Sequence, residues 1–215
     1  MNDQPNQQPD RDDRHLVFVD VETNGRDRDR HVAVEVAWWN LTTDVRGVFV
    51  PRHDVSHVLG TAEIGALRVN HYIDRLATAP QAQPGELLAL WEQFAGPFDQ
   101  HPGASWGEPS AWRSARHTFV AANPGFDAHF VSKVFRALDE AYDIEEVDPW
   151  HFRLWDIEAY AAGVLGLDEL PGQSTIAKLL GIEPGDHTAE GDVTCGGLCM
   201  RRLIEINRER HGGGQ

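Results

Sequence analysis

Asp20 and Glu22 are the first residues whose types and spacing suggest chemistry; they close the run Leu16-Val17-Phe18-Val19-Asp20-Val21-Glu22. Such an apolar run reads as a strand buried on both faces, and alternation along a strand points both carboxylates to one face at its C-terminal end. Asp127 heads a helical stripe with Phe130, Val131, Val134 and Leu138, and Asp192 heads another with Cys195, Gly196, Cys199 and Leu203. Each acid therefore occupies an inward face where an apolar residue would be expected. Carboxylates are rarely buried without a partner, yet no Lys or Arg occurs between Arg153 and Lys178, and none follows Asp192 until Arg201. Four converging acids without matched bases call for divalent cations with oxygen ligands, Mg²⁺ or Mn²⁺. Cys195 and Cys199 lack two further ligands at zinc-finger spacing and read as core packing. His187 precedes Asp192 in Asp186-His187-Thr188-Ala189-Glu190-Gly191-Asp192, where a helix should begin and Thr188 or Asp186 can cap it. Beside a metal cluster, an imidazole with an ordinary pKa near 6.5 suits a general base acting on water.

The elements that must position these groups follow from periodicity. Strands are expected over 16–22, 32–41 and 47–50, an antiparallel meander that opens the domain. Leu87, Leu88, Leu90, Trp91 and Phe94 form the apolar side of a helix that Gly96-Pro97 ends. A loop is expected over 100–110, a fourth strand over 117–121, a turn at Asn123-Pro124-Gly125, and a helix over 126–141 that leads into an acidic connection at 139–148. A fifth strand over 151–157, short helices over 158–164 and 174–180, and a long helix over 189–208 complete an α/β sandwich with a mixed five-stranded sheet. Adjacent Trp38 and Trp39 must point to opposite faces of the second strand.

Composition bounds the rest. The 215 residues, with 41% hydrophobic and 25% charged content, suit one domain, expected over 15–210 between a polar tail at 1–14 and a short tail at 211–215. A formal net charge of −15 excludes a broad electropositive surface for nucleic-acid phosphates, so any nucleic acid must be held locally. Two cysteines, no apolar run of membrane-spanning length and no apolar stretch at the N-terminus point to a reduced, cytoplasmic setting without membrane association.

The ordered set of Asp20 and Glu22 in D-x-E, Asp127 in N-P-G-F-D and His187 to Asp192 in H-T-A-E-G-D resembles the three motifs of the DEDDh, DnaQ-like 3′-to-5′ exonucleases of the ribonuclease-H-like superfamily. The third motif is most similar to that of the three-prime repair exonucleases. The resemblance spans about residues 15–208. It implies a two-metal mechanism with two Mg²⁺ or Mn²⁺ ions, in which Asp20, Glu22, Asp127 and Asp192 are metal ligands and His187 is the general base. It also implies substrate contacts from Thr23, Asn24, Gly25, Leu67, Asn70, Tyr72, Asn123 and Phe126, and it extends to Glu35 on the second strand. Many relatives have His-Asn before the second-motif turn; here the pair is Ala122-Asn123. Arg26, Arg28 and Arg30 beside the first motif are candidates for phosphate contact, and Trp106, Trp112, Arg113, Arg116 and His117 form a second candidate group. The expected substrate is a single-stranded DNA 3′ end, with exonucleolytic trimming of RNA as the alternative activity. A polymerase-associated scaffold with little catalysis is the reading from another class, and a DNA polymerase or a second copy of the chain is the candidate protein partner.

Overall fold

The computed structural model describes residues 14–76, 81–96, 117–142 and 148–212. Strand β1 (Leu16–Thr23) lies at the centre of the sheet, paired antiparallel with β2 (Ala33–Asn40) and parallel with β4 (Thr118–Ala121). β3 (Arg46–Phe49) and β5 (Trp155–Asp156) complete the order β3-β2-β1-β4-β5. This is the mixed five-stranded α/β sheet expected, with its antiparallel meander first. The helices among the described residues are α1 (Val55–Thr61), α2 (Ile64–Val69), α3 (Tyr72–Leu76), α4 (Pro84–Ala95), α5 (Pro124–Tyr142), α6 (Ile157–Leu165), α7 (Gln173–Leu180) and α8 (Ala189–Gly212). None of them is long and apolar enough to cross a membrane.

Alternation along β1 and β2 divides two cores. Val17, Val19 and Val21 join Val36 and Trp38 under α4 and α5, whereas Phe18, Ala37 and Trp39 lie under α6, α7 and α8. Both tryptophans are buried, on opposite faces, and the guanidinium groups of Arg46 and Arg201 lie against the ring of Trp39, 3.5 and 4.4 Å from its centre. Helix α8 comes close to the sheet because it turns glycines toward it: a Cβ at Gly196 would overlap the Phe18 ring, and one at Gly197 the Trp39 ring. Gly197→Val is therefore expected to cost about 1–3 kcal/mol through overpacking, a fall of roughly 2–12 °C in melting temperature. An unchanged melting temperature would contradict this close approach.

Some boundaries differ from the sequence expectation. The fifth strand is confined to two residues, because Asp156 ends it by accepting hydrogen bonds from the Glu158 and Ala159 N–H groups as the N-cap of α6. Helix α5 starts two residues early, with Pro124 at the first position where no N–H is needed, and α8 runs to Gly212, into the stretch read as a tail. The 100–110 loop, residues 143–147 of the acidic connection and most of the N-terminal tail lie outside the described residues. So do Trp106, Trp112, Arg113 and Arg116; His117 is described and stacks on His15 with ring centres 4.0 Å apart.

Candidate active site

Four elements meet at the C-terminal end of β1. Asp20 and Glu22 project from β1 toward α8, on the face shared with Phe18, and Asp192 from the first turn of α8 meets them there. One carboxylate oxygen from each of Asp20, Glu22 and Asp192 lies within 4.8 Å of the others. Gly185 makes room for this approach, since a Cβ there would overlap the Asp192 carboxylate.

Asp127 arrives differently. It is carried by α5, on the other face of the sheet, and reaches the site around an open edge. The β1–β4 ladder stops at the Phe18–Val120 pair, and beyond it the Val21 N–H has no strand partner. Oδ1 of Asp127 accepts that N–H at 3.2 Å, so this carboxylate is buried and anchored to the strand that carries Asp20 and Glu22. It stands beside the three-carboxylate group without being part of it.

Electrostatics show the cost of this arrangement. Burial raises the Asp20 carboxyl well above the ordinary carboxylate range, and Asp127, Asp192, Glu22 and Glu35 push it further in the same direction. Asp127 is also raised, chiefly by burial and then by Glu22, against the pull of its backbone hydrogen bonds. Asp192 is raised by burial, with opposition from His187. A set of oxygen donors that suppress one another's ionisation fits a divalent cation, which would replace the protons as the neutralising charge.

His187 sits in the turn before α8 with φ 62°, a left-handed conformation uncommon for a residue with a side chain. Its main-chain N–H reaches back to the Asp192 carboxylate, while its imidazole is exposed. Thr188 then caps α8 by accepting the Gly191 N–H at 2.9 Å, and the Ala189 N–H is taken at 2.7 Å by Glu35 of β2. Glu35 pairs with Glu22 across the strands and thus ties the motif carrying Asp192 to the motif carrying Asp20.

The residues expected to touch substrate are placed as follows. Asn24 is fully buried: its side chain donates to the Val58 carbonyl and Thr61 Oγ1 and accepts from the Val32 N–H. Asn70 donates to the Thr23 carbonyl and accepts from the Tyr72 N–H, and the Tyr72 hydroxyl pairs with His53 at 2.6 Å. Leu67 packs with Val34, Val58 and Tyr72 in a small core beneath α1–α3. Thr23 donates to the Gly25 carbonyl, and Gly25 packs so close to the His31 ring that a Cβ would overlap it. The side chains of Asn24, Asn70 and Tyr72 thus hold α1–α3 against the end of β1. Asn123 is exposed, with its carbonyl starting α5, and Phe126 is half-buried beneath the Arg28 guanidinium at 5.9 Å. Arg26 and Arg30 are exposed.

Two residues with a part here carried little signal in the sequence. Lys133 of α5 donates to the Arg28 and His31 carbonyls, and His31 accepts the Asp27 N–H while its other ring nitrogen meets the Thr61 carbonyl, so both fix the loop after Glu22. Their partners are main-chain atoms, mostly far away in sequence, which leave no trace in residue types. Glu35 did have a readable signal, a charged residue inside the apolar run of β2.

No protein-family model matches the chain, and no curated protein sequence does. Solved structures do. Exonuclease I of E. coli, in its zinc-bound complex with single-stranded DNA, matches 92% of this chain with a TM-score of 0.61 at 15% identity. Exonuclease I of Methylocaldum szegediense matches 93% with a TM-score of 0.58 at 17% identity. A full-length 3′-exonuclease matches 90% of this chain and 61% of its own, with a TM-score of 0.56 at 11% identity. The chain spans about two fifths of the two exonuclease I chains, 41% of each. At such identities the likeness is one of architecture, and the architecture is the ribonuclease-H-like α/β fold of these exonucleases.

Proposed function

We propose that the chain is a metal-dependent 3′-to-5′ exonuclease that removes nucleoside monophosphates from single-stranded DNA ends. The observation that carries this reading is the convergence of the Asp20, Glu22 and Asp192 carboxylates within 4.8 Å at the end of the central strand. Acids that repel one another at a sheet's C-terminal end are stabilised by cations between them. The fold is shared with exonucleases crystallised with single-stranded DNA, which supports the choice of substrate.

Asp20, Glu22 and Asp192 would be the residues that hold two Mg²⁺ or Mn²⁺ ions. Asp127, one oxygen committed to the Val21 N–H, has its other oxygen for a water-mediated contact. When bound, two divalent cations hold the scissile phosphate, acidify the attacking water and offset charge on the leaving 3′-oxygen. His187, exposed beside Asp192, would serve as the general base for an attacking water.

The test is incubation of the purified chain with end-labelled DNA and RNA oligonucleotides in Mg²⁺, Mn²⁺ or chelator. One-nucleotide ladders from the 3′ end of DNA, abolished by chelator, are expected. Faster trimming of RNA would transfer the assignment to an exoribonuclease, and metal-independent or purely internal cleavage would overturn it.

A further inference from the structure

A second cavity lies on the other face of the sheet, under the loop that follows Glu22. Its volume is about 390 Å³, within the range of roughly 300–1,000 Å³ usual for ligand pockets. Val32, Leu87, Val134 and Ala137 give it an apolar wall, and Arg52, His53 and Lys133 bring basic groups to it. In a chain of net charge −15, such a concentration of basic groups around an apolar hollow is a local reversal of the overall electrostatics.

Lys133 and Arg52 have capacity left for a ligand. Lys133 uses two of its three N–H donors on the Arg28 and His31 carbonyls. His53 pairs through Nε2 with the Tyr72 hydroxyl, while its buried Nδ1, near the Pro51 carbonyl, forms no hydrogen bond of good geometry. Arg52 is exposed at the rim. The charges acting on these groups are mixed: Asp29 and Asp27 act on Lys133 and Asp54 on His53, while Arg136 adds a further cation beside Lys133.

We propose that this cavity is a binding site, separate from the carboxylate cluster, for an organic phosphate with a flat apolar body, the chemistry of a nucleoside 5′-monophosphate. Arg52 and Lys133 offer two cationic groups to a phosphomonoester, which carries about −1.5 to −2 at neutral pH and three strong acceptor oxygens, more than a monocarboxylate can use. The apolar wall calls for a body beyond the phosphate, because inorganic phosphate would leave it in contact with water. Lys133 links the cavity to the loop beside Glu22, so occupancy acts on that loop through its Arg28 and His31 carbonyls.

The test is titration calorimetry of the full chain in chelator, where the carboxylate cluster repels phosphate, with 5′-dAMP, deoxyadenosine and inorganic phosphate as probes. We expect one site for 5′-dAMP, with deoxyadenosine and phosphate each at least about tenfold weaker, a loss of ~1.4 kcal/mol. Arg52→Gln removes a cation and Ala137→Phe fills the hollow; both positions are exposed, and both variants should keep the wild-type melting temperature and weaken 5′-dAMP at least tenfold. A 5′-phosphorylated dinucleotide that binds as tightly as 5′-dAMP identifies a strand end as the ligand, and weaker binding identifies the free nucleotide. Undetectable 5′-dAMP binding, equal affinity for inorganic phosphate or deoxyadenosine, or unchanged affinity in both variants would overturn the assignment. None of these readouts needs turnover, so they stand whether or not the exonuclease assay succeeds.

Discussion

Asp20→Asn is expected to lower hydrolysis of a single-stranded oligonucleotide by about three orders of magnitude or more while leaving the fold intact. Asp20 feels Asp127, Asp192, Glu22 and Glu35 together, so its loss would reach every other carboxylate of the proposed cation site. Losing several kcal/mol of transition-state stabilisation corresponds to a factor of about 10³, at 1.36 kcal/mol per tenfold. The amide keeps the shape and removes a charge that the folded chain suppresses, so in chelator the variant should melt at or above the wild-type temperature. Asp192→Asn should lose activity on the same scale. Glu35→Gln, which only weakens the hold on the Ala189 N–H, should lose far less and recover part of its loss at higher metal concentration. Near-normal turnover in a folded Asp20→Asn or Asp192→Asn chain would sink the metal-site assignment.

Addition of Mg²⁺ or Mn²⁺ to the chelated chain is expected to raise its melting temperature, and the increment should grow with pH. Asp20, Asp127 and Asp192 all hold protons more tightly folded than unfolded. Their contribution is therefore fully present below the ordinary carboxylate range and is lost as pH rises through the raised values. His117 acts oppositely: burial and His15 hold its imidazole down to about 4, so its contribution fades as pH falls from 6.5 toward that value. Comparing metal with chelator at each pH cancels His117 and leaves the carboxylates. At a metal concentration of about 100 times the dissociation constant the gain is near 2.7 kcal/mol, or roughly 5–10 °C for a domain of this size. Scanning calorimetry at pH 5, 6.5 and 8 would read it; a flat response at millimolar metal contradicts a shared site.

The parts of the fold legible in the sequence are those whose period is long enough to be unambiguous. β1 and β2 run eight residues each and α5 nineteen, and their apolar run or stripe survives any local irregularity. Helices α1–α3 run only five to seven residues and present exposed apolar side chains such as Ile64, Val69 and Ile73, so no stripe marks them. Their position depends on buried Asn24 and Asn70, whose amides could equally have faced substrate until their partners were known.

By itself, the sequence determined that Asp20 and Glu22 share a face of the first strand, that Asp192 heads an inward helical stripe, and that Gly196 permits that helix to lie close. These follow from the periods of strand and helix, which are local properties of the backbone. Only the tertiary structure decided that Asp192 joins Asp20 and Glu22 while Asp127 stands apart on the Val21 N–H. That distinction depends on where the β1–β4 ladder stops and on which face of the sheet each helix packs. The same is true of Glu35 at the head of α8, of Lys133 on the loop after Glu22, and of the cavity beneath that loop. Each rests on contacts between residues far apart in the chain, which no period in the sequence encodes.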